Sequence, residues 1–343
     1  MAEGIDLGRP DPARYLMARI CTLGIISDIH YASAAEQARG GKYEMAIIPN
    51  PLLRLVVHFY RRFFWLHEPL QKNYLLDRFI ERSSGLGLDY LIANGDYSCD
   101  SNFVGVSDDA ACQSALECLQ KLRSNFGPRL WLNFGDHELG KVSFFGGRGG
   151  MRLESWKRAQ ADLGLAPFWQ LIIGKYVVIG VVSSLVALPV YEPDTLPEER
   201  TRWAALRQEH MKLIAEAFKA VDPASRILLF CHDPSALPFL WEEPAVRAKI
   251  AQIEQTVIGH LHSNLILWKS RWLAGIPRIT WLGHTATRLT AALGRARQWK
   301  PFQVRLCPSL AGIELLKDGG YLTLQLDPTG ERPAEFVRHR LPR

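Results

Sequence analysis

Five short apolar runs in this chain end on combinations of glycine, carboxylate and imidazole, and no other feature restricts its fold as much. Cys21 to Ser27 leads into Asp28-Ile29-His30, and Tyr90 to Ala93 into Asn94-Gly95-Asp96. Arg129 to Leu132 leads into Asn133-Phe134-Gly135-Asp136-His137-Glu138. Arg226 to Phe230 leads into Cys231-His232-Asp233-Pro234, and Gln255 to Ile258 into Gly259-His260-Leu261-His262. Each run has the length and composition of a buried strand. Helical stretches lie between them, at Asn73 to Ser83, Ala110 to Phe126, Leu153 to Leu163 and Pro197 to Val221. Strand, polar tip and helix in alternation predict an α/β fold with its working groups at the carboxyl ends of strands.

The tips carry His30, His137, His232, His260 and His262, with Asp28, Asp96 and Asp136 beside them. One histidine at a strand end is ordinarily a hydrogen-bonded loop residue. Five histidines spread over four of the five tips, with glycines and carboxylates close by, are a metal site. Nitrogen and oxygen donors without thiolate suit Mn, Fe or Zn.

In order and spacing, Asp-x-His, Gly-Asp, Gly-Asp-His-Glu, His and Gly-His-x-His resemble the motifs of the calcineurin-like metallophosphoesterase superfamily, over roughly Gly24 to Ser263. The resemblance implies a four-layer αββα sandwich, two mixed sheets flanked by helices, in a single domain spanning the chain. It implies a metal-dependent phosphohydrolase with two divalent ions, Mn²⁺ foremost and Fe or Zn as alternatives. Asp28, His30, Asp96 and His262 would hold the first ion. Asp96 would bridge to the second, held also by Asp136, His232 and His260. A pair of ions about 3.5–4 Å apart neutralises a phosphoester and activates water. His137 would be the general acid, with Glu138 orienting it or supporting the site from behind. At position 136 the family pattern has Asn where this chain has Asp.

The remainder of the chain bears on substrate. An apolar helical insertion occupies about 40–75. Asn50-Pro51 is a capping pair, and a helix is expected over Leu52 to His67. Arg54, His58, Arg61 and Arg62 share one face, and apolar residues cover the rest. Such a helix lies in a membrane interface or packs on a core with an arginine-lined outer face. A segment at about 265–302 crowds Trp268, Trp272, Trp281 and Trp299 among arginines and lysines. That mixture suits a lipid headgroup layer, and an aromatic layer with cation–π contacts has the same composition.

The layout is similar to the UDP-2,3-diacylglucosamine pyrophosphatases of bacterial lipid A synthesis, in the form found in chlamydiae and related bacteria. The runs Trp299-Lys300-Pro301-Phe302 and Leu306 to Gly320 contribute to that likeness. It implies hydrolysis of a lipid-linked nucleotide to UMP and 2,3-diacylglucosamine 1-phosphate, peripherally on the cytoplasmic face of the inner membrane. Acyl chains would lie against Val56, Phe59 and Phe63, and Arg61, Arg62, Arg148 or Arg152 would meet the pyrophosphate. A soluble phosphodiesterase acting on nucleotides and a non-catalytic scaffold are the alternatives.

The 343 residues are 48% hydrophobic and 22% charged, enough to bury a large core, and the net charge of +6 favours anionic partners without arguing for nucleic acid. Six cysteines include no CxxC pair, which reads as free thiols in a reducing compartment. No apolar signal segment is expected in Met1 to Arg19. Leu171 to Val190 is expected to be a hairpin turning at Gly174-Lys175 rather than a membrane span. Ala32 to Lys42 is expected to be a loop, Gly146 to Gly150 a flexible loop, and Gly320 to Leu326 a closing strand.

Overall fold

The computed structural model describes residues 19–40, 48, 50–99, 103–140, 149–281 and 284–342. Among the described residues, ten strands form two five-stranded sheets. The first has the order β10-β9-β1-β2-β3, with β1 Cys21–Ile26, β2 Tyr90–Ala93, β3 Leu130–Leu132, β9 Gly320–Leu326 and β10 Glu335–Arg340. The second runs β4-β5-β6-β7-β8, with β4 Phe168–Ile173, β5 Tyr176–Val181, β6 Arg226–Cys231, β7 Ile253–Ile258 and β8 Val304–Leu306. β1, β2 and β3 are mutually parallel, as are β5 to β8, while β9, β10 and β4 pair antiparallel.

The alternation of the strands explains the layers. Leu23 and Ile25 of β1, Val178 of β5, Phe230 of β6 and Leu324 of β9 share one buried cluster between the sheets. The intervening residues Ile26, Ile179, Leu229 and Cys231 belong to a second cluster with the helices. Strands buried on both faces read as continuous apolar runs, which is why the runs stood out in the sequence. Trp131 and Trp169 meet across the inter-sheet layer at 5.3 Å between ring centroids. Two mixed sheets with helices outside them are the sandwich expected, and β1, β2, β3, β6 and β7 bring their carboxyl ends together.

The hairpin turns at Gly174-Lys175, with Ile173 opposite Tyr176. Beyond Val181 the expected strand stops, and short helices Ser183–Val186 and Leu188–Tyr191 follow. No helix among the described residues is long and apolar enough to cross a membrane. The loop expected at Ala32 to Lys42 instead contains the helix Ala34–Arg39, capped by Ser33, whose hydroxyl accepts from Glu36 N–H. The six cysteines are buried and form no disulfide with one another. Of the glycine loop, positions 146 and 147 lie outside the described residues.

The helix Arg200–Ala220 buries His210, whose Nε2 accepts from Val182 N–H at 3.1 Å. Burial pushes its pKa down to about 3. The folded state therefore keeps His210 neutral while the unfolded chain takes up a proton below pH 6.5. Stability contributed in this way is full above 6.5 and falls as pH drops toward 3, by about 1.4 kcal/mol per unit. Chemical denaturation at pH 7.5 and 5.5 should show a smaller loss in His210→Gln, which keeps an acceptor for Val182. Equal slopes in the two proteins would refute the assignment.

Candidate metal centre

The site is assembled from loops that leave the strands abruptly. Asp28, His30, Asp96, His260 and His262 all have positive φ, between 52° and 60°. Non-glycine residues avoid this region, and those held there cluster where the surroundings over-determine them. Only eight non-glycine residues among those described have positive φ, and these tips supply five of them. Glycine is required where the tips touch. A Cβ on Gly135 would collide with the Asp96 carboxylate, and one on Gly259 with Ser27 Oγ and the Asp28 carboxylate.

Two donor groups result. Asp28, His30, Asp96 and His262 each bring a ligand atom within 4.8 Å of the others, as do Asp136, His232 and His260. In the first group, His262 Nε2 lies 3.2 Å from both His30 Nε2 and Asp28 Oδ1. In the second, Asp136 Oδ1 is 3.1 Å from His232 Nε2 and 2.9 Å from His260 Nδ1. Asp96 Oδ2 stands between the groups, 3.1 Å from His232 Nε2.

Most of the ligand imidazoles are held by their other nitrogen. His232 Nδ1 meets Asn94 O at 2.5 Å, and His30 Nδ1 meets Ser98 O at 3.3 Å. His260 turns Nε2 toward Asp233, at 3.9 Å, and Asp233 in turn accepts from Tyr191 Oη. Outer partners of this kind fix ring orientation in metal sites.

Burial, reinforced by His137 and His262, pushes the His30 pKa down to about 3 and leaves a free lone pair for a cation. Burial also raises the Asp28 carboxyl, but His262 and His232 outweigh it and bring it to about 2. Asp96 is likewise lowered, with burial and Asp136 opposing and His232 and His137 prevailing. Burial opposes it, but Asp96, Asp136 and Asp28 raise the pKa of His232, so that imidazole gives up a proton when a cation enters. Ionised oxygens and imidazoles converging in a buried space fit divalent cations. Asp96 Oδ2, buried with His232 Nε2 at 3.1 Å and His137 Nε2 at 3.8 Å, lies where both donor groups can reach it and is the plainest sign.

The sequence family described as calcineurin-like phosphoesterase matches residues 21–264. The chain belongs to the calcineurin-like phosphoesterases. It is accordingly a metal-dependent phosphohydrolase, and its donor groups serve two divalent ions. No curated protein matches it in sequence. Among solved structures, it is similar to a dimetal phosphatase from Danio rerio at 12% identity and TM-score 0.49, covering 94% of this chain and 97% of that one. A phosphopantetheinyl hydrolase from Mycobacterium tuberculosis aligns at 14% identity and TM-score 0.33, over 70% of this chain and 83% of that one. A purple acid phosphatase from yellow lupin (Lupinus luteus) seeds aligns at 12% identity and TM-score 0.37, over 94% of this chain and 54% of that one.

Within this phosphoesterase, His137 sits on the turn Asp136–Leu139, its ring 4.7 Å from that of His30 and its Nε2 3.8 Å from Asp96 Oδ2. Glu138 has a task the sequence did not show. Its carboxylate accepts from the backbone N–H of Gly135, Tyr97 and Asp96, at 2.7, 2.8 and 3.1 Å, tying the second tip to the third. Burial, with Asp96 nearby, pushes its pKa up to about 7.

The residues expected to meet substrate are less concentrated. The Arg152 guanidinium donates to the carbonyls of Gly149, Gly150, Met151 and Asp194 and so holds that loop. Arg148 lies outside the described residues. Phe59 and Phe63 stack at 6.0 Å on an exposed helix face, Arg62 lies over the Phe63 ring, and Arg61 begins the turn that follows. The residue of this insertion that reaches the metal centre is Trp65, whose ring lies 4.7 Å from that of His262. Sequence reading passed over Trp65, because only the folded chain brings it beside position 262.

Metal removal gives a direct test. The metal-free centre gathers three carboxylates and five left-handed residues, and bound ions offset that cost. Saturation at about a thousand times Kd should stabilise the fold by about 4 kcal/mol. Calorimetry before and after chelation reads this as a fall in Tm, and an unchanged Tm would contradict it.

Proposed function

We propose that this phosphohydrolase cleaves UDP-2,3-diacylglucosamine to UMP and 2,3-diacylglucosamine 1-phosphate at a membrane surface. Asp28, His30, Asp96 and His262 would hold one ion, and Asp136, His232 and His260, with Asp96 beside them, would hold the other. Mn²⁺ is our assignment, and Fe or Zn suits the same donors. Once bound, the pair supplies Lewis acidity toward the phosphoryl oxygens and toward water. His137 gives a proton to the oxygen of the departing sugar phosphate. The backbone N–H of His137 donates to Asp96 Oδ1 at 3.0 Å, which couples the position of the acid to the carboxylate between the two groups. Glu138 keeps both loops in register through its backbone hydrogen bonds.

The substrate reading rests on one observation. The helix Pro51–Tyr60 and the turn Arg61–Trp65 bury no residue, yet end on Trp65 against the metal-centre residue His262. An apolar surface that begins at the reaction centre and faces outward matches a substrate whose phosphates are hydrolysed while its acyl chains stay in lipid. Incubation with UDP-2,3-diacylglucosamine and Mn²⁺ should release UMP. Failure to do so, with turnover of water-soluble diesters independent of detergent, would replace this reading with a soluble phosphodiesterase.

A further inference from the structure

The exposed helix is linked to the metal centre at its root. The turn Arg61–Trp65 is π-helical, closed by Leu66 N–H donating to Arg61 O at 3.0 Å. Such turns are rare and concentrate at functional sites. This one leaves Phe63 exposed and sets Trp65, two residues later, half-buried against His262.

The segment that follows β8 braces the same turn. Glu314 N–H donates to Trp65 O at 2.7 Å, Leu315 N–H to Phe64 O at 3.2 Å, and His67 N–H to the Glu314 carboxylate at 3.2 Å. This segment also returns to the metal centre. Ser309 N–H donates to His262 O at 3.2 Å, and Asp318 accepts from Ser263 Oγ at 2.6 Å. Helix, brace and His262 thus close a circuit of contacts.

The elements of the circuit expose large apolar side chains. Phe59 and Phe63 are 51% and 60% exposed, and Leu315 on the brace is 55% exposed. Trp268 and Trp272, on the helix Asn264–Trp272 that starts just after His262, are 64% and 75% exposed. Between Asn50 and Leu66 there is no carboxylate, while Arg54, His58, Arg61 and Arg62 are present. Exposed aromatics on a helix that carries cations and no carboxylate complement an anionic lipid surface.

A helix of this length that buries nothing is marginally stable without a partner, and so exerts a weak hold on its own root. We infer that docking of this helix on an anionic lipid surface fixes Trp65 against His262 and thereby tightens the metal centre, activating the enzyme at the interface. This rests on the membrane reading above. Trp65 is a positioning residue: it acts through His262.

The full chain loaded with Mn²⁺ is assayed on bis(4-nitrophenyl) phosphate, which has no acyl chain. Vesicles of phosphatidylglycerol and phosphatidylethanolamine are present or absent, and Mn²⁺ loss to EDTA is timed in parallel. The vesicles should raise turnover and slow metal loss, each by at least about fivefold, and phosphatidylcholine vesicles should do neither. Trp65→Leu should still bind the anionic vesicles while both effects disappear, and Trp65→Phe should recover part of them. The double variant Phe59→Ser/Phe63→Ser, altered only at exposed positions, should not bind. Binding of the unaltered protein with no change in either rate, or full activation of Trp65→Leu, overturns the coupling and leaves the membrane reading intact. No binding of the unaltered protein, or self-association through the helix in place of lipid binding, overturns both.

Discussion

Replacing His137 by glutamine is expected to lower kcat by about 10²–10⁴-fold while two equivalents of metal remain bound. The imidazole is buried in the centre, beside His30 and within 3.8 Å of Asp96 Oδ2. It lies outside the two donor groups that carry the ligand assignment, although Asp96, Asp136 and His137 also come within reach of one another. Glutamine occupies similar space and can still donate a hydrogen bond, but it cannot deliver a proton. The backbone N–H that donates to Asp96 is untouched by the change. The loss should therefore grow with the basicity of the leaving group, small for 4-nitrophenolate and large for an alkyl alcohol. Metal analysis alongside kcat separates the two roles. A fall in metal content together with activity would make His137 a ligand, and an unchanged kcat would remove it from the reaction.

What could be read from the chain depended on how local its physics is. β1, β2, β6 and β7 are buried on both faces, so they appear as continuous apolar runs, and their tips carry residues that strands otherwise avoid. β8 and β10 were not legible. β8 spans only Val304–Leu306, and β10 is a sheet-edge strand with the polar sequence Glu-Phe-Val-Arg-His-Arg. Neither has a buried stripe for periodicity to reveal. Helix Ala34–Arg39 was hidden among small and polar residues, and its cap at Ser33 becomes visible only when Ser114 and Ala110 enclose that serine.

The centre divides in the same way. The donors were legible because their chemistry is in their side chains. Glu138 was not, because it works on backbone N–H groups from two separate tips. Asp233 follows His232 directly in sequence, yet its neighbours Tyr191 and His260 arrive from other elements. The helix Pro51–Tyr60 was legible as amphipathic, with Asn50 capping Leu52 and Leu53 as its sequence promised. Its exposure was not, since a helix that packs on a core and one that waits for lipid share the same periodicity.

Asp136→Asn is the variant in which activity should rise. Two dications bring four positive charges. Asp28, Asp96 and Asp136 offset three of them, and with asparagine at 136 only two are offset. The extra unit of positive charge acts on an incoming phosphate a few ångströms away. At an effective dielectric near 20, unit charges about 4 Å apart interact by about 4 kcal/mol, and greater separation reduces this. A gain of about tenfold or more in turnover follows from about 1.4 kcal/mol of that. Geometry should be preserved, because the asparagine carbonyl can take the place of Asp136 Oδ1, on which His232 and His260 converge at 3.1 and 2.9 Å. The opposite effect is expected on metal binding, since a neutral oxygen donor holds a cation less firmly than a carboxylate. Metal loss to a chelator should be faster in the variant. The aspartate thus holds metal more tightly at the expense of attraction for phosphate. Unchanged turnover together with an unchanged rate of metal loss would show that Asp136 does not ligate as an anion, and that the second donor group rests on His232, His260 and Asp96.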